Sequence, residues 1–413
     1  MKKLLLKNLI LDDKISSILI ENGTISAINE NLTADDDTEV FDCRKKLAAT
    51  LPFYNTHTHA AMTLLRSYAE DMELFDWLNN HIWPMEAKLT ADDIYIGSRL
   101  AIVEMIRSGT VFFNDSYWHP EATLQAVKES GIRATIGMLY LSDKGIDNDE
   151  FLARAAEVPL ANVSHAPHAI YTVDTEKLQK IAETSAKDGS QVHIHVAETA
   201  TEVADSLKKY GKTPVAYLDS LGLINQRAAL AHCVHLTDED REIIAAKGAY
   251  ILHNPVSNMK LCSGIFDFEK ARKAGCKITI GTDGSSSNNS LSMLEEMKFA
   301  ALCAKLTASS PLAGNKKDIL RAARTTGAEL AGVNAGIAPG KAADILLINT
   351  EHISMCAGYD MEADMIYSGD PQIIDSVICN GKFLKKNGII PDEQEIIAEA
   401  QKRFMCLRSS AGA

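Results

Sequence analysis

Between residues 52 and 335 the chain repeats one pattern: a short apolar, β-branched run followed by a longer stretch with helical periodicity. The runs are TLPFYNTH, GTVFFND, IRATIGMLY, ANVSHAPH, QVHIHVAE, AALAHCVH, AYILHNP and CKITIGTDG. Such runs read as buried strands. The stretches between them, such as ADDIYIGSRLAIVEMIRSG and DTEKLQKIAETSAKDG, are amphipathic and end on Gly, which accepts the left-handed turn that closes a helix. Strands apolar on both faces need cover on both, and alternating helices supply it by parallel crossovers. Eight βα units over about 280 residues predict a (β/α)8 TIM barrel. A doubly wound open sheet is the alternative. No G-x-G-x-x-G follows an early strand, so its dinucleotide-binding form has little support.

The two ends read differently. LLLKNLIL is one strand, and ISSILIENGTISAIN is two strands about Asn22-Gly23, a strong two-residue hairpin signal. The C-terminal segment repeats this style in ADILLIN and SVICNGKFLKK, with Asn380-Gly381 at the turn. Residues 1–51 and 336–413 are therefore expected to build a small composite β-sandwich domain beside a catalytic barrel of residues 52–335.

Polar residues close the barrel runs: His57 and His59, Asp115, His165 and His168, His195 with Glu198, His232 and His235, His253, and Asp283. In this fold the carboxyl ends of the strands form the active face. A single His at a strand end often only caps a loop, but of the 12 histidines only 81, 119, 193 and 352 fall elsewhere. In His57-Thr58-His59 the i, i+2 spacing puts both imidazoles on one face of a strand, which makes half of a zinc or iron site. His195 and Asp283 are candidates to complete it. His193 is expected to pack inside the barrel. Glu198 reads equally as a general acid or as a helix-start carboxylate, with Thr199 and Thr201 beside it as caps. His232 is placed to hold a reacting water, and His235 is expected to be structural.

Composition narrows the function. Hydrophobic residues make up 46% and charged residues 23%, ordinary values for a globular chain. Asp plus Glu is 55 against 42 for Lys plus Arg, a net charge of −13. That charge repels phosphate backbones, so no nucleic-acid partner is expected. The eight cysteines include no C-x-x-C pair and read as free thiols in a reducing compartment. The apolar start MKKLLLKNLILDD is broken by Lys7 and Asn8, with no cleavage site after it, and no run is long enough to span a membrane. A cytoplasmic protein with no membrane partner is expected.

With these residues in place, the chain resembles the amidohydrolase superfamily. Within it, the similarity is to the methylthioadenosine/S-adenosylhomocysteine deaminase group and its chlorohydrolase-type relatives. The resemblance rests on N-T-H-T-H-A-A-M-T-L-L-R at 55–66, A-E-D at 69–71, H-V-A-E-T at 195–199, A-H-C-V-H-L at 231–236, H-N-P-V-S-N-M-K-L at 253–261 and G-T-D-G-S-S-S-N-N-S at 281–290. It implies a hydrolase acting on C–N bonds of cyclic amidines. The substrate would be a small adenosine-type nucleoside, losing its 6-amino group as ammonia: 5′-methylthioadenosine, 5′-deoxyadenosine, adenosine or S-adenosylhomocysteine. The resemblance further implies one divalent metal held by His57, His59, His195 and Asp283, usually zinc, with iron or manganese as alternatives. Two-metal relatives use a carboxylated Lys on a middle strand, and IRATIGMLY and ANVSHAPH contain none. Glu198 matches the proton shuttle to the ring, His232 the residue that orients the attacking water, and Asp283 the base. Glu86 matches a ribose-hydroxyl contact, and His168 a further substrate contact.

In one place the pattern departs. Relatives that accept S-adenosylhomocysteine carry Arg near the top of the third barrel strand, where this chain has Met138. Arg133 is expected at the opposite end of the strand, leaving Lys144 or Arg154 as substitutes. Without a guanidinium to grip a carboxylate, an uncharged 5′ group is expected to be preferred. Other readings are a deaminase or dechlorinase of another N-heterocycle (guanine-like, pterin or triazine), a two-metal cyclic-amide hydrolase, and a non-catalytic barrel scaffold. A homo-oligomer is compatible with the sequence.

Overall fold

All eight apolar runs form strands of one parallel barrel sheet in the computed structural model, which describes residues 3–143 and 149–411. Five strands precede the barrel: β1 (Lys3–Leu11), β2 (Lys14–Glu21), β3 (Thr24–Ile28), β4 (Thr38–Asp42) and β5 (Leu47–Thr50). The barrel strands are β6 (Phe53–Thr58), β7 (Thr110–Ser116), β8 (Arg133–Tyr140), β9 (Ala161–Pro167), β10 (Gln191–Val196), β11 (Ala228–His232), β12 (Tyr250–His253) and β13 (Lys277–Ile280), each paired with the next in order. β14 (Ile345–Asn349), β15 (Ile374–Cys379) and β16 (Lys382–Lys385) follow.

The seam between β13 and β6 closes mainly through side chains. Thr56 Oγ1 lies 2.7 Å from Thr279 Oγ1 and donates to the Ile280 carbonyl, and Asn55 exchanges hydrogen bonds with Thr282. The Asp283 N–H donates to the His57 carbonyl at 2.9 Å. Gly281 is required at this seam, because a Cβ there would stand 2.7 Å from the His57 nitrogen.

The terminal strands form one mixed sheet in the order β16-β15-β14-β5-β1-β2-β3, with β4 also on β1. β1 changes partner along its length: Lys3–Lys7 pair with β4, and Ile10 pairs with β5. The change falls at a register shift beside Asn8, whose φ of 55° is left-handed, as at a bulge. Both Asn-Gly turns carry positive φ at both residues, the geometry that such hairpins need. One side of the sheet encloses its own core of Leu4, Leu6, Ile18, Ile25, Phe41, Ile345 and Leu347. Leu346, Ile348 and Val377 join the barrel core instead. The C-terminal helix Glu393–Ala411 leaves this sheet and lies on the barrel helix Ala91–Arg107, where Arg99 pairs with Glu399 at 3.1 Å.

Arg133 stands at the amino-terminal end of β8, away from the active face. Its guanidinium donates to both oxygens of Asp344, a buried carboxylate that also accepts from Tyr54 Oη and the Asn380 N–H. This buried pair ties the sheet to the barrel. Asp344→Ala leaves a largely buried cation without its carboxylate, so a loss of about 3–5 kcal/mol is expected, read as a lower denaturant midpoint. An unchanged midpoint would show that the pair contributes nothing to holding the two sheets together.

Candidate metal centre

His57 and His59 project from the end of β6, His195 from β10, and Asp283 follows β13, so four different side chains meet at one end of the barrel. The backbone there is strained. Ala197 (φ 50°), His232 (φ 70°), Cys233 (φ 51°) and Asp283 (φ 64°) are all left-handed. Each such residue costs on the order of 1–3 kcal/mol and persists only where its surroundings over-determine it, most often at functional sites.

Hydrogen bonds set each ring. His59 Nδ1 lies 2.6 Å from the Ser116 carbonyl, and His195 Nδ1 2.6 Å from the His168 carbonyl. A carbonyl only accepts, so both Nδ1 atoms carry hydrogen, the tautomer that leaves Nε2 free to act as a metal ligand. Those two Nε2 atoms face each other at 3.3 Å. His57 Nδ1 is taken by His193 Nε2 at 2.8 Å, and His57 Nε2 is buried without a hydrogen-bond partner. Asp283 Oδ1 lies 3.4 Å from His59 Nε2 and 3.6 Å from His57 Nε2. Ligands about 2.0–2.1 Å from a common tetrahedral ion stand about 3.3 Å apart. The set fits a divalent cation by its spacing and by the chemistry of its imidazole and carboxylate donors. His57, His59 and Asp283 form one group able to hold a metal, and His57, His195 and His232 an overlapping one.

Glu198 and His232 stand beside this cluster. His232 Nε2 is 3.7 Å from Glu198 Oε2, and its Nδ1 lies 2.8 Å from Asn258 Oδ1. Ser263 Oγ donates to Glu198 Oε1 at 3.2 Å. Burial pushes the Glu198 carboxyl up, despite the nearby His232. Burial also opposes ionisation of Asp283, but the adjacent His57 and the other imidazoles around it prevail and hold it well below the usual carboxylate range. Two carboxyls in one site are thus driven apart, one toward the acid form and one toward the base. Burial lowers His57 to about 4, which suits a neutral ligand. Asp283 is oriented by Ser257 Oγ, which donates to Oδ2 at 2.6 Å, and by the Gly284 N–H on Oδ1.

A cavity of about 660 Å³, counting its open mouth, rises above these groups and is lined by Glu86, His168, Glu198, His232, Asp283 and aromatic and leucine walls. Glu86 is buried and accepts from Trp118 Nε1 at 3.1 Å. His168 faces the cavity, anchored through Nδ1 to Thr172 Oγ1, and burial drops it to about 3.

Some strand-end residues do other work. Asp115 Oδ1 accepts the Ala60 N–H at 2.7 Å and fixes the turn after His59. His165 turns outward to Tyr140 and Asp188. His253 packs on Phe266. His193 lies inside the barrel and props His57. Met138 needs correcting: it is buried in the core away from the cavity, which Leu139 and Leu141 line instead. Strand residues alternate sides, so the even-numbered side chains of β8 face outward with Tyr140. Arg154 lies on the helix Asp149–Ala155 and does not line the cavity. Lys144 lies outside the described residues. Sequence patterns gave no signal for Trp77, Trp83, Tyr117 and Trp118, which form much of the wall. Among the barrel strands only β13 holds a lysine, Lys277, at the opposite end and paired with Glu329 at 2.7 Å, so no strand offers a bridging carbamate.

Comparison with known proteins follows the same lines. The 5′-deoxyadenosine deaminase of Methanospirillum hungatei is 39% identical over 424 residues, covering 99% of this chain and 94% of that protein. The 5-methylthioadenosine/S-adenosylhomocysteine deaminase of Pelotomaculum thermopropionicum is 42% identical, covering 86% and 85%. A solved adenosine deaminase from Xanthomonas campestris with bound zinc shares 31% identity, covers 98% of both chains and superposes with a TM-score of 0.91. Residues 49–384 match the Amidohydrolase family. With most of its length matched, and relatives this similar across the barrel and the terminal sheet, the chain belongs to the Amidohydrolase family.

Proposed function

We propose that this protein is a metal-dependent aminohydrolase that replaces the 6-amino group of an adenosine-type nucleoside with oxygen and releases ammonia. The observation that carries the reading is the floor of the cavity. There, imidazole nitrogens converge with Asp283, and a buried Glu198, its carboxyl pushed up by burial, stands beside them. The deaminases named above support it.

His57, His59, His195 and Asp283 would hold a single divalent ion, zinc by preference, which when bound makes water acidic enough to supply a nucleophile near neutral pH. The chain's own groups then divide the work. Asp283, kept anionic, accepts a proton from the attacking water and returns it to the departing amine. His232 keeps Nε2 turned toward the site because Asn258 occupies Nδ1, and it orients the water. Glu198 gives its proton to the ring nitrogen next to C6, so charge does not accumulate on the heterocycle, and it recovers one from the new C6 hydroxyl as the carbonyl forms and ammonia leaves. Glu86, steadied by Trp118, accepts hydrogen bonds from the ribose hydroxyls, and His168 contacts the substrate. The aromatic and leucine walls exclude bulk water, which strengthens each of these interactions.

Among the described residues no Lys or Arg lines the cavity, and Leu139 and Leu141 occupy the β8 side. A hydrogen bond from a charged partner contributes about 1.5–3 kcal/mol. We therefore expect 5′-methylthioadenosine and 5′-deoxyadenosine to exceed S-adenosylhomocysteine by about 10- to 150-fold in kcat/KM. Ammonia release from these three, adenosine, adenine, guanine and a pterin tests both points. Turnover confined to guanine or the pterin would overturn the nucleoside reading. Preference for S-adenosylhomocysteine would overturn only the reading of the 5′ subsite.

A further inference from the structure

Glu202 is a buried carboxylate outside the cavity lining, 4% exposed, on the first turn of the helix Ala200–Tyr210. That helix is capped by Thr199, whose side chain accepts the Glu202 N–H. In an ordinary capping box the Glu three residues into the helix reaches back to the N-cap N–H. Here Glu202 reaches further. Its Oε1 accepts the Ala197 N–H at 2.9 Å and its Oε2 accepts the Glu198 N–H at 2.8 Å. Both oxygens are thus spent on the two amides that precede the cap. Ala197 is left-handed at φ 50°, a conformation that a residue with a Cβ holds only under constraint. From the other side, the His235 N–H donates to the Ala197 carbonyl at 2.9 Å, so the turn is gripped at both faces. The helix already has its cap in Thr199. The grip on 197 and 198 serves the residue whose backbone it fixes.

We infer that Glu202 is a positioning residue for the proton-transfer step, holding the backbone of Glu198 so that the Glu198 carboxyl stays between Ser263 and His232. This rests on the proposed role of Glu198 as the proton donor. Loss of the clamp lets the turn relax, and a shift of about 1 Å in a reacting group can cost about 100-fold in rate. Substrate grip through Glu86 and the cavity walls is untouched, so the loss belongs in kcat.

Four variants of the metal-replete enzyme test this. Glu202→Gln presents one NH2 to an amide N–H, and Glu202→Asp keeps a carboxyl group but is one methylene too short to reach both amides. Each is expected to lower kcat by about 10- to 100-fold with KM within about twofold and metal content unchanged. If the Gln variant fails to fold, the Asp variant carries the measurement. Thr199→Ala removes the helix cap alone and is expected to lower the melting temperature while leaving kcat within about twofold. Glu198→Gln is the reference for losing the donor. The inference is overturned if the Glu202 variants keep wild-type kcat while Glu198→Gln loses it, or if Thr199→Ala costs as much turnover as they do. If Glu198→Gln itself retains turnover, the role of Glu198 fails, and that of Glu202 with it.

Discussion

Protein stripped of metal by a chelator is expected to lose essentially all deaminase activity and to regain it with one equivalent of zinc per chain. The reason lies in the tautomers. Main-chain carbonyls fix hydrogen on Nδ1 of His59 and His195, so their Nε2 lone pairs confront each other at 3.3 Å. With His57 Nε2 buried and unpartnered, the empty centre leaves several acceptors facing one another in a site without water's dielectric. A cation relieves all of these at once. Metal should therefore also stabilise the fold: an ion at a thousand times its Kd contributes about 4 kcal/mol, visible as a higher melting temperature independent of any substrate. Elemental analysis should find about one ion per chain. Two tightly held ions at full activity, or undiminished turnover after metal has been shown to be absent, would overturn the arrangement of ligands described above.

The barrel was legible because parallel strands buried on both faces must be apolar and β-branched throughout, so each run stands out from the amphipathic helices around it. The pairing of His57 with His59 at the candidate centre was legible for a related reason: His-Thr-His on a strand can only point both imidazoles the same way. Other features lie beyond sequence pattern. Whether Met138 or Leu139 faces the cavity depends on how β8 seats against β9, where Met138 pairs with His165, and a shift of one residue would exchange the two faces. The aromatic wall comes from three short helical segments over Leu74–Glu86 and from the loop after β7, pieces too brief for a period to be read. The reach of Glu202 past its own cap is set by the left-handed turn at Ala197, which no local propensity announces. Asp115 carried the expected strand-end signal yet serves the backbone of Ala60, since a buried carboxylate can be satisfied by a turn as readily as by a ligand.

Glu198→Gln is expected to keep its metal and lose about 10²- to 10⁴-fold in kcat, the usual contribution of a general acid–base group. Gln has nearly the shape of Glu, and its carbonyl can still accept the Ser263 hydroxyl that now bonds Oε1. The Ala197 and Glu198 amides remain clamped by Glu202, since that contact uses only the backbone of residue 198. What disappears is a transferable proton. The site favours the protonated form: Glu198 is buried, 5% exposed, and burial raises its carboxyl even with His232 3.7 Å away. Meanwhile Asp283, in the same cavity, is driven the other way. With the ring nitrogen unprotonated, attack at C6 would place negative charge on the heterocycle in an apolar enclosure, where it is poorly tolerated. The proposed substrate contacts, Glu86, His168 and the walls, are unaltered, so KM should change little, and kcat and kcat/KM should fall together, as for an interaction made only in the transition state. Near wild-type turnover in a metal-replete Glu198→Gln enzyme would return this residue to a helix-start carboxylate, and would leave the cluster of imidazoles without its acid.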